Sequence, residues 1–237
     1  MARTPRRPAS PKSSEGTSER ERVVEAFLAL LAETSMEEIG LGEIAARAGV
    51  SLPQLRDLFG SKLAILAAFT KDTDRQVLGS IDADMAEEPA RERLFDVLMR
   101  RLEVLAPHKA AMRSLLRSAR RNPPLALALN SLAVRSQQWM LTAADISAAG
   151  PKGMVRAQGL ALLWARVLRT FVNDEEEGHA RTMAALDRAL AQGARWVGFL
   201  DDVCRFVPCG RGPFRRRRRR DEADRDLGLG DEEPIPV

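Results

Sequence analysis

Residues 43–62 read EIAARAGVSLPQLRDLFGSK, and the organisation of the chain can be worked out from them. Ile44, Ala45 and Ala48 share one face of a short helix. Gly49 ends it, because glycine enters the left-handed backbone region of a helix terminus without a Cβ penalty. Ser51 opens the next helix. Its hydroxyl can accept from the backbone N–H three residues on, and Gln54 stands where a side chain can return the bond, a capping box. Pro53 falls in the first turn, where its missing N–H costs little. Gly60 closes this helix, and Ser61 caps a longer one expected to reach about Met85. Helix 43–48, turn 49–51 and helix 52–59 make a helix-turn-helix, in which the first helix braces the second.

Upstream, Val24, Phe27, Leu28 and Leu31 recur at i, i+3, i+4, i+7, which predicts an amphipathic helix from about Ser18 to Glu33. Residues 1–17 are rich in Pro, Ser and Arg, have almost nothing to bury, and are expected to be disordered. Downstream, Pro89, Pro107, Pro123, Pro124 and Pro151 separate segments that each keep a helical apolar stripe. The last stripe follows Asp174, expected with Glu177 to cap its helix. No segment alternates with a period of two, there is no tyrosine, and β-branched residues are sparse. The expected fold is all-α, with about nine helices. Past Pro208 the pattern gives way to six consecutive arginines at 215–220 and an acidic, Gly-rich tail, expected to be disordered. The predicted divisions are thus a basic tail 1–17, a helix-turn-helix domain 18–77, a larger helical domain 78–207 and a tail 208–237.

Hydrophobic residues make up 45% and charged residues 30%, the balance of a folded soluble protein. The longest uncharged apolar stretch, 123–134, is too short to span a bilayer. The basic N-terminus has no apolar run behind it, so no secretory signal is expected. Two cysteines, Cys204 and Cys209, make no disulfide framework, and a reducing, cytoplasmic setting fits them. They have no Cys or His cluster beside them, so no metal is expected. Net charge is +4, but residues 1–17 carry +3 and 205–237 carry +2, which leaves 18–204 at −1. Bulk charge therefore does not argue for nucleic acid. No phosphate loop, dinucleotide fingerprint or nucleophile elbow is present. His108 and His179 have no obvious nucleophile partner and are expected at the surface. No catalytic residue and no cofactor is expected, and an enzyme is the least supported class.

The stretch RVVEAFLALLAE…EIGLGEIAARAGVSLPQLRDLFGSKLAILAAF resembles the DNA-binding domain of TetR-family transcriptional regulators. Ile44-Ala45, Ala48-Gly49-Val50-Ser51, Leu55, Phe59, Ser61-Lys62 and Leu66 carry the likeness. It implies a homodimer on double-stranded DNA. In such proteins a Leu-Tyr pair usually follows the turn; here Arg56 takes the tyrosine's place and Asp57 comes next. The base-facing set is then Ser51, Gln54 and Arg56, with Lys62 on a phosphate. Residues 18–75 carry seven basic and ten acidic side chains, which weakens phosphate attraction.

The resemblance further implies a small apolar ligand held among the C-terminal helices and a dimer made by the last two. The dimer stripe is expected at Leu160, Leu163, Val167, Met183, Leu186, Leu190 and Val197. Residues 92–190 also resemble TetR-fold lipid-binding accessory proteins of ubiquinone biosynthesis. That likeness implies a lipid ligand, no DNA, and peripheral membrane contact. Under either reading the expected cavity residues are Met99, Leu102, Met112, Leu116, Leu132, Trp139, Met140, Trp164 and Leu168.

Overall fold

The computed structural model describes residues 13–81, 85 and 87–206, with side-chain surroundings from Glu19 to Gly193 except Glu177 and the gaps at 82–84 and 86. Helix α1 (Ser13–Glu33) starts before the expected Ser18 and packs Val23, Val24, Phe27 and Leu31 inward. α2 (Leu41–Ala48) and α3 (Leu52–Leu58) lie against that stripe through Ile44, Ala45, Ala48 and Leu55. Phe27, Leu31 and Ile44 are fully buried, each such side chain contributing about 1.5–3 kcal/mol. α4 (Lys62–Gly79) stops short of the expected Met85. Its end is fastened there: Ser80 N and Oγ both donate to the Val77 carbonyl, at 3.1 and 3.0 Å, while the Arg100 guanidinium donates to the Ser80 carbonyl.

The rest of the described chain is helical too, with no strand among the described residues. α5 (Ala90–Leu105) runs through a 3₁₀ turn (Ala106–His108) into α6 (Lys109–Arg121), α7 (Pro123–Ala143) and α8 (Gly150–Phe171). A second 3₁₀ turn (Glu177–His179) leads to α9 (Ala180–Phe206). The all-α expectation of about nine helices holds. Pro123 and Pro124 sit in the first turn of α7, and Asn122 caps it by accepting from Leu125 N at 3.0 Å. Near the start of α8, Gly153 is obligatory: a Cβ there would overlap the Ala148 backbone carbonyl.

Two sets of hydrogen bonds tie α6 to its surroundings. Ser114 Oγ donates to the Thr34 carbonyl at 2.8 Å, and Met36 N donates to Ser118 Oγ at 3.2 Å, so α6 holds the turn between α1 and α2. Lys109 donates to the Asp174 carbonyl at 2.8 Å and Arg113 Nε to the Val172 carbonyl at 3.0 Å, placing cations on the carbonyl end of α8. Of the two expected caps of α9, Asp174 holds its first turn: Oδ2 accepts from Thr182 N at 2.8 Å and Oγ1 at 2.6 Å. The Glu177 side chain lies outside the described ones. The Thr182 hydroxyl, then the backbone N–H groups, hold the Asp174 carboxyl below its usual range. The histidines are half-buried, not surface groups. His108 meets Phe69 edge-on and His179 meets Phe171 edge-on. No helix among the described residues is long and apolar enough to cross a membrane. The predicted tails, Cys204, Cys209 and the 215–220 arginines lie outside the described side chains.

Candidate functional site

The turn between α2 and α3 forms as its residues require. Gly49 has φ +65°, its N–H reaches the Ala46 carbonyl at 3.2 Å, and Val50 N reaches Ala45 O at 3.0 Å. These bonds take up carbonyls that the helix end would leave bare. The Ser51–Gln54 capping box is complete: Ser51 N donates to Gln54 Oε1 at 2.8 Å, and Gln54 N donates back to Ser51 Oγ at 3.4 Å. α1 fastens the far ends of both helices. Arg22 Nε donates to the Ala48 carbonyl and Arg20 Nη1 to the Leu58 carbonyl, each at 3.3 Å. Arg20 also lies over the Phe59 ring, 4.3 Å from its centroid. Arg47 forks onto Glu33 at 2.8 and 2.6 Å, and these bonds lower the Glu33 carboxyl below its ordinary pKa.

The four residues expected to face DNA divide sharply. Ser51, Gln54 and Arg56 are exposed on or beside α3. Gln54 is already committed: its Oε1 also accepts from Ser51 Oγ at 2.8 Å, and its Nε2 donates to Glu19 at 3.4 Å. A two-bond contact with an adenine edge would have to dismantle the capping box. Arg56 donates to the Gly60 carbonyl at 3.2 Å, an exposed bond that is easily exchanged. Lys62 is turned inward, its ammonium on the carbonyls of Met36 and Ile39 at 2.6 and 2.8 Å. It locks α4 to the turn between α1 and α2. Leu52, 57% exposed, was not expected here. It stands one turn before Arg56 on α3, and its signal was an apolar residue at a first-turn position that no core stripe claims.

The residues expected to line a cavity differ in burial. Leu102, Met112, Met140 and Trp164 are buried in the core, while Met99, Leu116, Leu132 and Leu168 are half-buried against it. Trp139 is 58% exposed and stands apart from them. Between these core residues lies a polar cluster that the apolar stripes concealed. Arg101 on α5 meets Asp74 of α4 at 3.0 Å, Ser136 of α7 donates to Asp74 at 2.6 Å, and Arg101 also bonds Ser136. Burial lowers the Arg101 guanidinium's pKa, and the Asp74 charge opposes that shift. The Arg101 guanidinium lies 5.2 Å from the Trp164 ring centroid. Elsewhere, an open groove of about 620 Å³ runs between the α1–α2 turn and α6, lined by Glu33, Glu37, Arg117 and Arg121 among others. Its charges are mixed and select no ligand.

Of the expected dimer stripe, Leu160, Val167, Leu186 and Leu190 are buried within the chain itself. Leu163 is half-buried against Gly193, Met183 is 42% exposed, and Val197 lies outside the described side chains. The other side of α8 is the bare one: Val155 and Leu162 are 57% and 62% exposed, and Gly159 lies between them with nothing near it. Among the described residues no cluster of His, Cys, Asp or Glu could hold a metal ion.

A capped helix-turn-helix braced by a long first helix and continued by a larger helical body defines the class of all-helical helix-turn-helix folds. Solved structures share this layout. The TetR transcriptional regulator from Nitrosomonas europaea is 26% identical, with a TM-score of 0.58 over 74% of this chain and 97% of that one. A TetR transcriptional regulator from Rhodococcus sp. RHA1 is 23% identical, with a TM-score of 0.54 over 76% of this chain and 97% of that one. The chain has the TetR-regulator fold. No family model and no curated protein matches the sequence.

Proposed function

We propose that the chain is a TetR-type transcriptional regulator: a cytoplasmic homodimer that binds double-stranded DNA through α3 and responds to a small ligand in its helical body. The observation that carries this reading is the outward face of α3. Leu52 and Arg56 project one turn apart from a helix fixed at its start by the capping box and at its end by Arg20. Such a rigid, exposed pair suits the major groove, with the Arg56 guanidinium forking onto guanine and Leu52 against a thymine methyl. Ser51 and the remaining Gln54 N–H lie beside them. Residues 18–75 repel phosphate on balance, and the +3 charge of residues 1–17 offsets this.

The bare side of α8 suits the dimer, because Val155, Gly159 and Leu162 follow i, i+4, i+7 and the glycine lets a second helix approach closely. A two-fold axis would set this face against its copy. The lipid-carrier alternative draws no support from the geometry, since Trp139 is outside and the other cavity residues are packed.

Gel-shift titration against fragmented genomic DNA over a salt series tests the reading. Binding that weakens as salt rises, and that Arg56→Ala reduces on its own sites, is the expected result. Failure to retain any fragment down to about 50 mM salt would remove the regulator reading.

A further inference from the structure

The Leu52–Arg56 edge is not the part of α3 that points furthest from the core. At about 100° per residue, Pro53 and Asp57 stand roughly 160° and 200° round the helix from the buried Leu55. They form the outer ridge of the helix, one turn apart, and both are exposed. Leu52 and Arg56 flank the ridge on one side and Gln54 on the other. Gln54 is held in the capping box, and the Pro53 side chain carries no polar atom. Asp57 is therefore the polar side chain on the ridge itself.

Nothing in the fold accounts for an acid there. Asp57 has no hydrogen bond or ion pair among the described residues, and its chain neighbour Arg56 turns instead to the Gly60 carbonyl at 3.2 Å. A carboxylate in the last turn of a helix meets the negative end of the dipole, which is locally unfavourable. It also adds to the phosphate repulsion of residues 18–75, which carry ten acidic side chains against seven basic. A residue that breaks local rules with no structural return is where function is to be sought.

The major groove offers a carboxylate two donors, the N4 amine of cytosine and the N6 amine of adenine. Adenine N6 lies beside N7, an acceptor that repels the second carboxylate oxygen. Cytosine N4 has a C–H beside it and no such acceptor. Asp57 follows Arg56 by about 1.5 Å along the helix axis, so both reach the same level of the groove. A guanidinium beside a carboxylate matches the two acceptors of guanine and the donor of cytosine.

We propose that Asp57 is a specificity-determining residue that accepts from N4 of a cytosine beside the guanine held by Arg56. The inference deepens the regulator reading and rests on it. Asp57 also works against wrong sequences, because without that amine its carboxylate lies unpaired among acceptor atoms and phosphates.

In the test, full-length wild type, Asp57→Ala and Asp57→Asn each select duplexes from a random-sequence library at one salt concentration. Competition titration then measures their affinity for the selected duplex, for the same duplex altered at single positions, and for an unrelated duplex. Wild type is expected to select one cytosine beside a guanine in each half-site, and altering it should weaken binding by about fivefold or more. Asp57→Ala should keep the rest of the motif, lose most of that penalty and bind the unrelated duplex more tightly. Asp57→Asn should move the preference at that position to adenine, whose N6 and N7 an amide can bridge. All three proteins should melt together, because Asp57 makes no contact in the fold. A wild-type motif with an undiminished cytosine penalty in Asp57→Ala would overturn the proposal and leave the regulator reading standing. So would a melting temperature lowered in Asp57→Asn, since the carboxylate would then be structural. Selection of no motif by the wild type would instead remove the regulator reading, and this inference with it.

Discussion

Replacing Asp74 by alanine leaves the Arg101 guanidinium buried without its counter-charge. The two groups are 3.0 Å apart and only 7% and 5% exposed, so solvent screens them little. At that distance and an effective dielectric near 20, the attraction is about 5 kcal/mol. Part of it only offsets the desolvation of the pair, but removing one partner forfeits the attraction and keeps the other's desolvation cost. The expected loss is about 3–5 kcal/mol. For a chain of this size that corresponds to a fall in melting temperature of roughly 6–20 °C. Urea unfolding followed by circular dichroism, at matched protein concentration, should show a lower midpoint with an unchanged slope. The combined variant Asp74→Leu, Arg101→Met, Ser136→Ala should recover most of the loss, since a packed apolar trio can equal a buried ion pair. A loss below about 1 kcal/mol for Asp74→Ala would refute the reasoning, because it would mean that water reaches the guanidinium.

Four further outcomes are expected. Gly49→Ala should destabilise the protein by about 1 kcal/mol or more in urea unfolding, since φ +65° strains any residue with a Cβ. Leu160→Ala should cost about 2–5 kcal/mol as a core cavity, whereas Leu162→Glu should leave the fold intact and halve the mass seen by sedimentation. The Asp174 carboxyl is held below its unfolded value, so it contributes stability above a pH of about 4 that is lost as pH falls through its lower folded pKa. Asp174→Asn should accordingly flatten the acid limb of the stability–pH curve. Changing Arg3, Arg6, Arg7 and Lys12 to glutamine should make DNA affinity less salt-dependent, by about 0.9 in log–log slope for each phosphate that is no longer neutralised.

Features that depend on neighbours in the chain were legible in the sequence. The turn at Gly49, the Ser51–Gln54 box and the cap at Ser61 each involve residues within a few positions. The α8 stripe was harder to assign, because that helix is apolar on two sides. Leu160 and Val167 point into the core while Leu162 and Val155 point out, and periodicity does not say which side another copy would cover. Lys62 could not be placed, since its carbonyl partners at Met36 and Ile39 lie 26 and 23 residues away. The Asp74–Arg101–Ser136 crossing joins three helices whose pairing no local pattern encodes. A signal did exist: Arg101 interrupts the run of Leu98, Leu102 and Leu105, and Ser136 and Gln137 sit one turn before Met140 and Leu141. A polar residue at a core-facing position implies a buried partner on another helix, though not which one.

Lys62 and Asp74 are twelve residues apart on α4, about 18 Å along one helix axis. That makes the helix a rigid arm, pinned by two carbonyls at one end and by a charge pair at the other. A tilt of about 10° at the Asp74 end would swing the Lys62 end by about 3 Å. In a two-fold pair of such arms the displacements double, against a groove-to-groove repeat of about 34 Å. Under the proposed function, a side-chain event in the core would be geared up to the scale on which duplex DNA distinguishes a matching spacing from a mismatched one.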